Sequence, residues 1–252
     1  MANYDQERLH QTRLGASADM SIDQGLRSYM LSVYNYMAGA LALTGLVAYF
    51  AYTAAVQETA AGPVLTSFGE TLFTSPLRWV VMLAPLAFIL VLSFGVHKLS
   101  LAATQMIFWT FASVMGLSLS SIFLVFTGES ITTTFFVTAA AFGSLSLYGY
   151  TTKRDLSGMG SFLFMGLIGI IIASLVNLFL ASSALQFAIS VLGVLIFAGL
   201  TAYDTQRIKG MYYEGDSVAA AGKKAVMGAL SLYLDFINMF MFLLQFLGQQ
   251  RN

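Results

Sequence analysis

Long apolar runs separated by short polar breaks dominate this chain. A membrane-spanning helix needs about 20 mostly apolar residues, and seven stretches of that kind can be read, at 30–53, 77–96, 101–126, 131–150, 162–181, 185–203 and 225–247. Helices and closed barrels are the structures that satisfy every backbone polar group in lipid. The runs are too long for barrel strands and lack period-two alternation, so helices are expected. The fold class is therefore all-α: a polytopic membrane protein with a seven-span domain over residues 30–248 behind an N-terminal tail over residues 1–29. That tail is polar and of mixed charge (Asp5, Glu7, Arg8, Arg13, Asp19, Asp23, Arg27), without a short apolar run ending in a small-residue cleavage site. Connections are short apart from 54–76 and 205–224, which favours helical hairpins over separate domains.

Composition agrees. Hydrophobic residues make up 58% of the chain and charged residues 10%, against about 25% charged in soluble domains. The lipid bilayer is the expected surrounding. Net charge is zero, which argues against nucleic acid as a partner. The absence of cysteine excludes disulfides, thiolate metal sites and cysteine nucleophiles. The basic residues then set the orientation. The tail and the even-numbered loops hold Arg8, Arg13, Arg27, Lys98, Lys153, Arg154, Arg207, Lys209, Lys223 and Lys224, whereas the other side holds Arg78 and Arg251. A cytoplasmic N terminus and a C terminus on the far side are expected. Gly39, Gly45, Gly116, Gly143, Gly166, Gly169, Gly193, Gly199 and Gly228 fall inside spans, where small residues let helices approach closely.

Two aspartates need a reason to be where they are. A carboxylate at a helix centre in lipid costs roughly 2.5–3.5 kcal/mol on insertion scales. Asp235 lies in the last run, about 15 Å from its start at 1.5 Å per residue, and its short side chain cannot reach the interface. Gly228, Ser231, Asp235, Asn238, Phe242 and Gln245 share its helix face, a polar stripe on an apolar helix with one aromatic as a hydrophobic plug. Asp204 ends the sixth run on a face with Ser190, Gly193, Phe197 and Thr201. The sixth and seventh helices run antiparallel, so the two carboxylates can meet. In a low-dielectric site they would share a proton and form a proton-sensitive latch. Counting depth from the ends of the runs leaves Asp204 nearer the cytoplasmic surface; tilt, or a seventh span starting later than residue 225, would close the gap. The expected gate is Asp204 and Asp235, with Ser231, Asn238, Phe242 and Thr201 lining a path and Arg207, His97 and Glu129 as secondary candidates.

Around these residues, Ala202-Tyr203-Asp204-Thr205-Gln206-Arg207-Ile208 and Ala229-Leu230-Ser231-Leu232-Tyr233-Leu234-Asp235-Phe236-Ile237-Asn238-Met239-Phe240 resemble the Bax inhibitor-1 family, the transmembrane Bax inhibitor motif proteins with bacterial YccA-like members. The resemblance covers roughly residues 29–248. It implies a bundle whose last helix is surrounded by the other six, in a bacterial inner membrane. It also implies a pH-sensitive calcium leak controlled by a di-aspartyl pair, carried onto Asp204 and Asp235. A regulatory role toward a membrane protease of the FtsH type is the other implication, with the N-terminal tail as its handle. The resemblance further implies a basic residue on the second span that locks the aspartates. That span has no internal arginine here, leaving His97 and Lys98 at its cytoplasmic end.

Calcium prefers several oxygen ligands. Asp204 and Asp235 with Ser231, Asn238 and Thr201 offer a weak transit site rather than a tight store, and no cofactor is expected beyond calcium as the permeant ion. An enzyme is not expected, because neither His10 nor His97 has metal-ligand spacing such as His-Glu-x-x-His. Glu129 reads as a turn residue on the far side with a possible cation-vestibule role, and Asn177 as interhelical glue.

Overall fold

The computed structural model describes residues 2–59 and 62–251, with side chains from Asp23 onward except that of Glu58. The tail expected over residues 1–29 therefore falls mostly outside the described side chains. The chain runs α1 (Ala2–Ala55), β1 (Val56–Thr59), β2 (Gly62–Leu65), α2 (Ser67–Phe73), α3 (Leu77–Gly95), α4 (Leu101–Leu119), α5 (Ile122–Val125), α6 (Gly128–Thr151), α7 (Ser157–Leu180), α8 (Ser183–Gly210) and α9 (Val218–Leu247). Among the described residues, seven segments are long and apolar enough to cross a membrane: Asp23–Ala55 within α1, α3, Leu101–Val125 across α4 and α5, α6, α7, α8 and α9. The protein is an all-α polytopic membrane protein.

Hydroxyl side chains set most of the helix starts. Ser100, Thr127, Ser182 and Ser217 each accept a hydrogen bond from the backbone N–H three residues on, at the heads of α4, α6, α8 and α9. Such caps satisfy donors that the helix itself leaves open. The third span breaks at Ser120 and Ser121, whose hydroxyls donate to the carbonyls of Leu117 and Ser118. The connection after the first span holds an antiparallel hairpin pairing Val56 with Leu65 and Thr59 with Gly62, which the sequence pattern did not announce. Gly69 of α2 lies so close to the Ala55 carbonyl that a Cβ there would stand 2.1 Å from the oxygen.

Helix α9 forms the centre. In its most apolar stretch 61% of residues are buried, against 28% or less in each other span, so it is the central helix. Its neighbours α1, α4, α6 and α8 pack directly against it. Glycines mediate several close approaches: the Gly116 Cα faces the Thr44 carbonyl, and Gly39, Gly166, Gly199 and Gly228 receive the side chains of Trp109, Ile196, Leu163 and Ile208. Gly45, Gly143 and Gly169 face open space instead, so the packing role does not extend to them.

Lys209, Lys223 and Lys224 gather at one end of the bundle and tie its loops. Lys223 Nζ donates to the carbonyls of Val96 and Leu99, at 3.2 and 3.3 Å. Lys224 Nζ donates to the Met211 carbonyl and pairs with Asp216 at 2.6 Å, and Lys209 Nζ donates to the Tyr150 carbonyl at 2.8 Å. Here the expected register is corrected. Helix α9 begins at Val218, earlier than residue 225 rather than later, and α8 continues to Gly210 rather than stopping at 203. The first two turns of α9 project past the end of α8 into the loop layer, where Lys223 and Lys224 bind. That overhang, about 10 Å at 1.5 Å per residue, brings Asp235 down toward the level of Asp204.

Candidate functional site: the cleft between α7, α8 and α9

The register of the antiparallel pair α8 and α9 is recorded by a series of contacts. Ile208 packs on Gly228, Arg207 Nη2 donates to Ser231 Oγ at 3.2 Å, and Gly193 faces the Phe242 ring. Asp204 falls one turn before Ile208 and Asp235 one turn after Ser231, so this register faces the carboxylates toward one space. Both aspartates and Arg207 line the same cleft of about 1070 Å³, with Ser231, Asn238 and Phe242. The face from Gly228 to Gln245 does turn toward α8.

Charge in the cleft is unequal. Arg207 Nη2 lies 3.2 Å from Asp204 Oδ1, and its guanidinium stands 5.8 Å from the centre of the Tyr203 ring. Asp204 is 9% exposed and Asp235 5%. Asp204 and Arg207 are the charged residues that line the cleft beside Asp235. Two carboxylates thus share one guanidinium, which is occupied by Asp204 and Ser231. Asp235 Oδ2 is buried with no hydrogen-bond partner among the described residues. A buried charge without a partner is expensive, so this oxygen marks a place where a proton or cation would be favoured. Asn238 Nδ2 donates to the Leu234 carbonyl at 2.8 Å, leaving its amide oxygen as an acceptor.

An aromatic pair and a polar chain lie beyond the carboxylates. Phe242 stacks on Phe197 with centroids 5.9 Å apart and planes at 27°. A Cβ on Gly193 would stand 2.5 Å from the Phe242 ring, so the absence of a side chain there seats the aromatic. Further along, Gln186 Nε2 donates to Gln245 Oε1 at 2.9 Å, and Asn177 Nδ2 donates to Gln186 Oε1 at 3.1 Å. Asn177 also accepts from the Ser182 N–H, so it joins α7 to the start of α8.

The remaining candidates lie elsewhere. Thr201 is fully buried and donates to the Phe197 carbonyl at 2.8 Å, outside the cleft lining. His97 and Lys98 are exposed in the turn after α3 and do not line the cleft either. The basic partner of the aspartates is Arg207, on the same helix as Asp204, rather than a residue of the second span. Glu129 is exposed in the first turn of α6, at the opposite end of that helix from the Tyr150 carbonyl that Lys209 binds. The sequence also gave no sign of α7's contribution: Gly160, Phe164, Ile171, Leu175 and Leu178 form a long apolar wall of the cleft. Gln206 was missed too. It clamps the loop before α7, donating to the Arg154 carbonyl at 2.7 Å and accepting from the Leu156 N–H at 2.9 Å.

Metal chemistry has a thin basis here. No group of three or more histidine, cysteine, aspartate or glutamate side chains that could hold an ion occurs among the described residues. Two carboxylates, a hydroxyl and an amide oxygen suit a passing hard cation better than a resident one.

Comparison with known proteins identifies the family. The family model described as inhibitor of apoptosis-promoting Bax1 matches residues 26–252. A protein of Caulobacter vibrioides is 51% identical over 236 residues, covering 93% of this chain and 94% of the relative. A Rickettsia prowazekii protein is 48% identical over 236 residues, covering 94% and 95%. The inner membrane protein YbhL of Escherichia coli strain K12 is 47% identical over 230 residues, covering 90% and 94%. With a family match that covers residues 26–252 and relatives about half identical along nearly their whole length, this chain belongs to the Bax inhibitor-1 family of membrane proteins.

Proposed function

We propose that the protein is a pH-sensitive, calcium-permeable leak pathway of a bacterial inner membrane, gated by Asp204 and Asp235, with its N terminus cytoplasmic. The observation that carries this reading is the unpartnered Oδ2 of Asp235 in the cleft shared with Asp204 and Arg207. The inner membrane is supported by the name of the Escherichia coli relative, and the orientation by the basic residues clustered at one end of the bundle. Arg207 acts as the lock, because its pairing with Asp204 and Ser231 ties α8 to α9 beside the carboxylates. Phe242 on Phe197 closes the path farther in. Protonation of the pair removes the charge that holds Arg207, so acid loosens the lock and flux rises as pH falls. A cation in transit meets Asn238, Asp235 and Ser231 in turn.

Calcium entry into proteoliposomes of the purified protein tests this, with external pH stepped between about 8 and about 6. Flux above that of empty liposomes is expected, and Arg207→Gln should raise it at the higher pH. Absence of flux at any pH would overturn the leak and leave regulation of an FtsH-type membrane protease as the function to pursue.

A further inference from the structure

The cleft is larger and more apolar than passage of a small ion requires. Its volume of about 1070 Å³ lies at the top of the roughly 300–1,000 Å³ range of pockets that enclose organic ligands. One wall is α7, whose Phe164, Ile171, Leu175 and Leu178 line the cleft while remaining 52–76% exposed. The cleft is therefore open along α7, on the side that faces lipid, and a molecule dissolved in the membrane can enter sideways.

The polar end is equally selective. Asp204, Asp235 and Arg207 are the charged residues that line the cleft, so two carboxylates face one guanidinium. Arg207 is committed to Asp204 and Ser231, which leaves one negative charge in excess, located at Asp235. Its Oδ2 is without a partner among the described residues, in a residue that is 5% exposed. The amide oxygen of Asn238, one turn on, is a second acceptor, because its nitrogen is spent on Leu234. A calcium ion wants six to eight oxygens, more than this corner presents. An ammonium group has a single charge, donates only, and needs two or three acceptors.

We propose that the cleft binds an amphipathic organic monocation, a long-chain primary amine whose ammonium donates to Asp235 and Asn238 while its hydrocarbon tail lies along α7. The amine neutralises the excess carboxylate charge, and the apolar wall removes the tail from the disorder of the bilayer. Binding does not depend on whether the protein conducts ions, so this proposal and the leak stand or fall separately.

Native mass spectrometry of the full chain in phosphatidylcholine nanodiscs, titrated with dodecylamine, dodecanol or dodecanoate, tests it. Dodecylamine should give a one-to-one adduct, and the alcohol and carboxylate should give none. Asp235→Asn should weaken the adduct by at least about tenfold, the loss expected for a charge-assisted hydrogen bond. Ser174→Trp, which fills the cleft from α7 without touching the carboxylates, should abolish it. Equal binding of dodecylamine and dodecanol, or an adduct unaffected by either substitution, would overturn the proposal. Nanodiscs containing phosphatidylethanolamine then tell the source of the amine. Loss of the dodecylamine adduct would assign the site to a lipid ammonium, and its persistence would assign it to a free single-chain amine, both in keeping with an ammonium site.

Discussion

Tyr233 and Asp235 stand two residues apart on α9, are both almost wholly buried, and have opposite surroundings. Tyr233 faces α1 and α4. Its ring meets Phe111 edge-on at 5.2 Å, and its hydroxyl lies 2.8 Å from Thr44 Oγ1. Thr44 donates its own proton to the Ala112 carbonyl at 2.8 Å, so the tyrosine must be the donor in the other bond. Both hydroxyls of this pair have partners, and three helices are joined. Asp235 faces α7 and α8, with one carboxylate oxygen unpartnered in a large cleft. Tyr29 Oη is the other buried polar atom without a partner among the described residues, but it is neutral. A satisfied polar group deep in a bundle holds helices together; an unsatisfied carboxylate works against stability and persists where function needs it.

Substitutions on the two faces should therefore separate stability from transport. The largest loss of stability is expected for Tyr233→Ala, roughly 3–5 kcal/mol for removing a buried aromatic, read as a fall in thermal unfolding temperature in detergent. A loss under about 1 kcal/mol would mean that this face is not the anchor. Next comes Gly193→Ala, expected at about 1–3 kcal/mol because the new methyl strikes the Phe242 ring. Since Phe242 is then pushed off Phe197, basal calcium flux should rise; unchanged flux would remove Phe242 from the gate. Tyr233→Phe should cost about 1 kcal/mol, one buried hydrogen bond, and leave the pH response of flux intact. The smallest change in stability is expected for Asp235→Asn, within about 1 kcal/mol of the unaltered protein or above it, because a buried charge without a partner is removed. A large destabilisation there would recast Asp235 as a structural residue.

The two faces were not equally legible in the sequence. Asp235 stood out because a carboxylate interrupts a run of Leu, Ile, Met and Phe, and three-four spacing placed Ser231, Asn238 and Phe242 beside it. Seven spans followed from length and apolarity alone. The meeting with Asp204 was legible only as far as the antiparallel hairpin. The depth of each carboxylate depends on how far α9 overhangs α8, and Val218 to Lys224 reads as loop until its alanines are seen to continue the helix. Arg207 was legible only as a secondary candidate, because nothing local reveals that its guanidinium folds back onto Ser231. Helix α7 is apolar on every side, so hydropathy cannot distinguish the wall of a cleft from a surface against lipid. The Thr44–Tyr233 bond joins residues 189 apart in the chain, a pairing that no periodic pattern encodes.

Calcium flux into proteoliposomes across about pH 6 to about pH 8, with the unaltered protein beside Asp204→Asn, Asp235→Asn and Tyr233→Phe, separates the faces most directly. Flux in the unaltered protein and in Tyr233→Phe should rise as pH falls, and both asparagine variants should lose that dependence while remaining folded. A pH response that survives in Asp204→Asn and Asp235→Asn would contradict a gate built on the two aspartates.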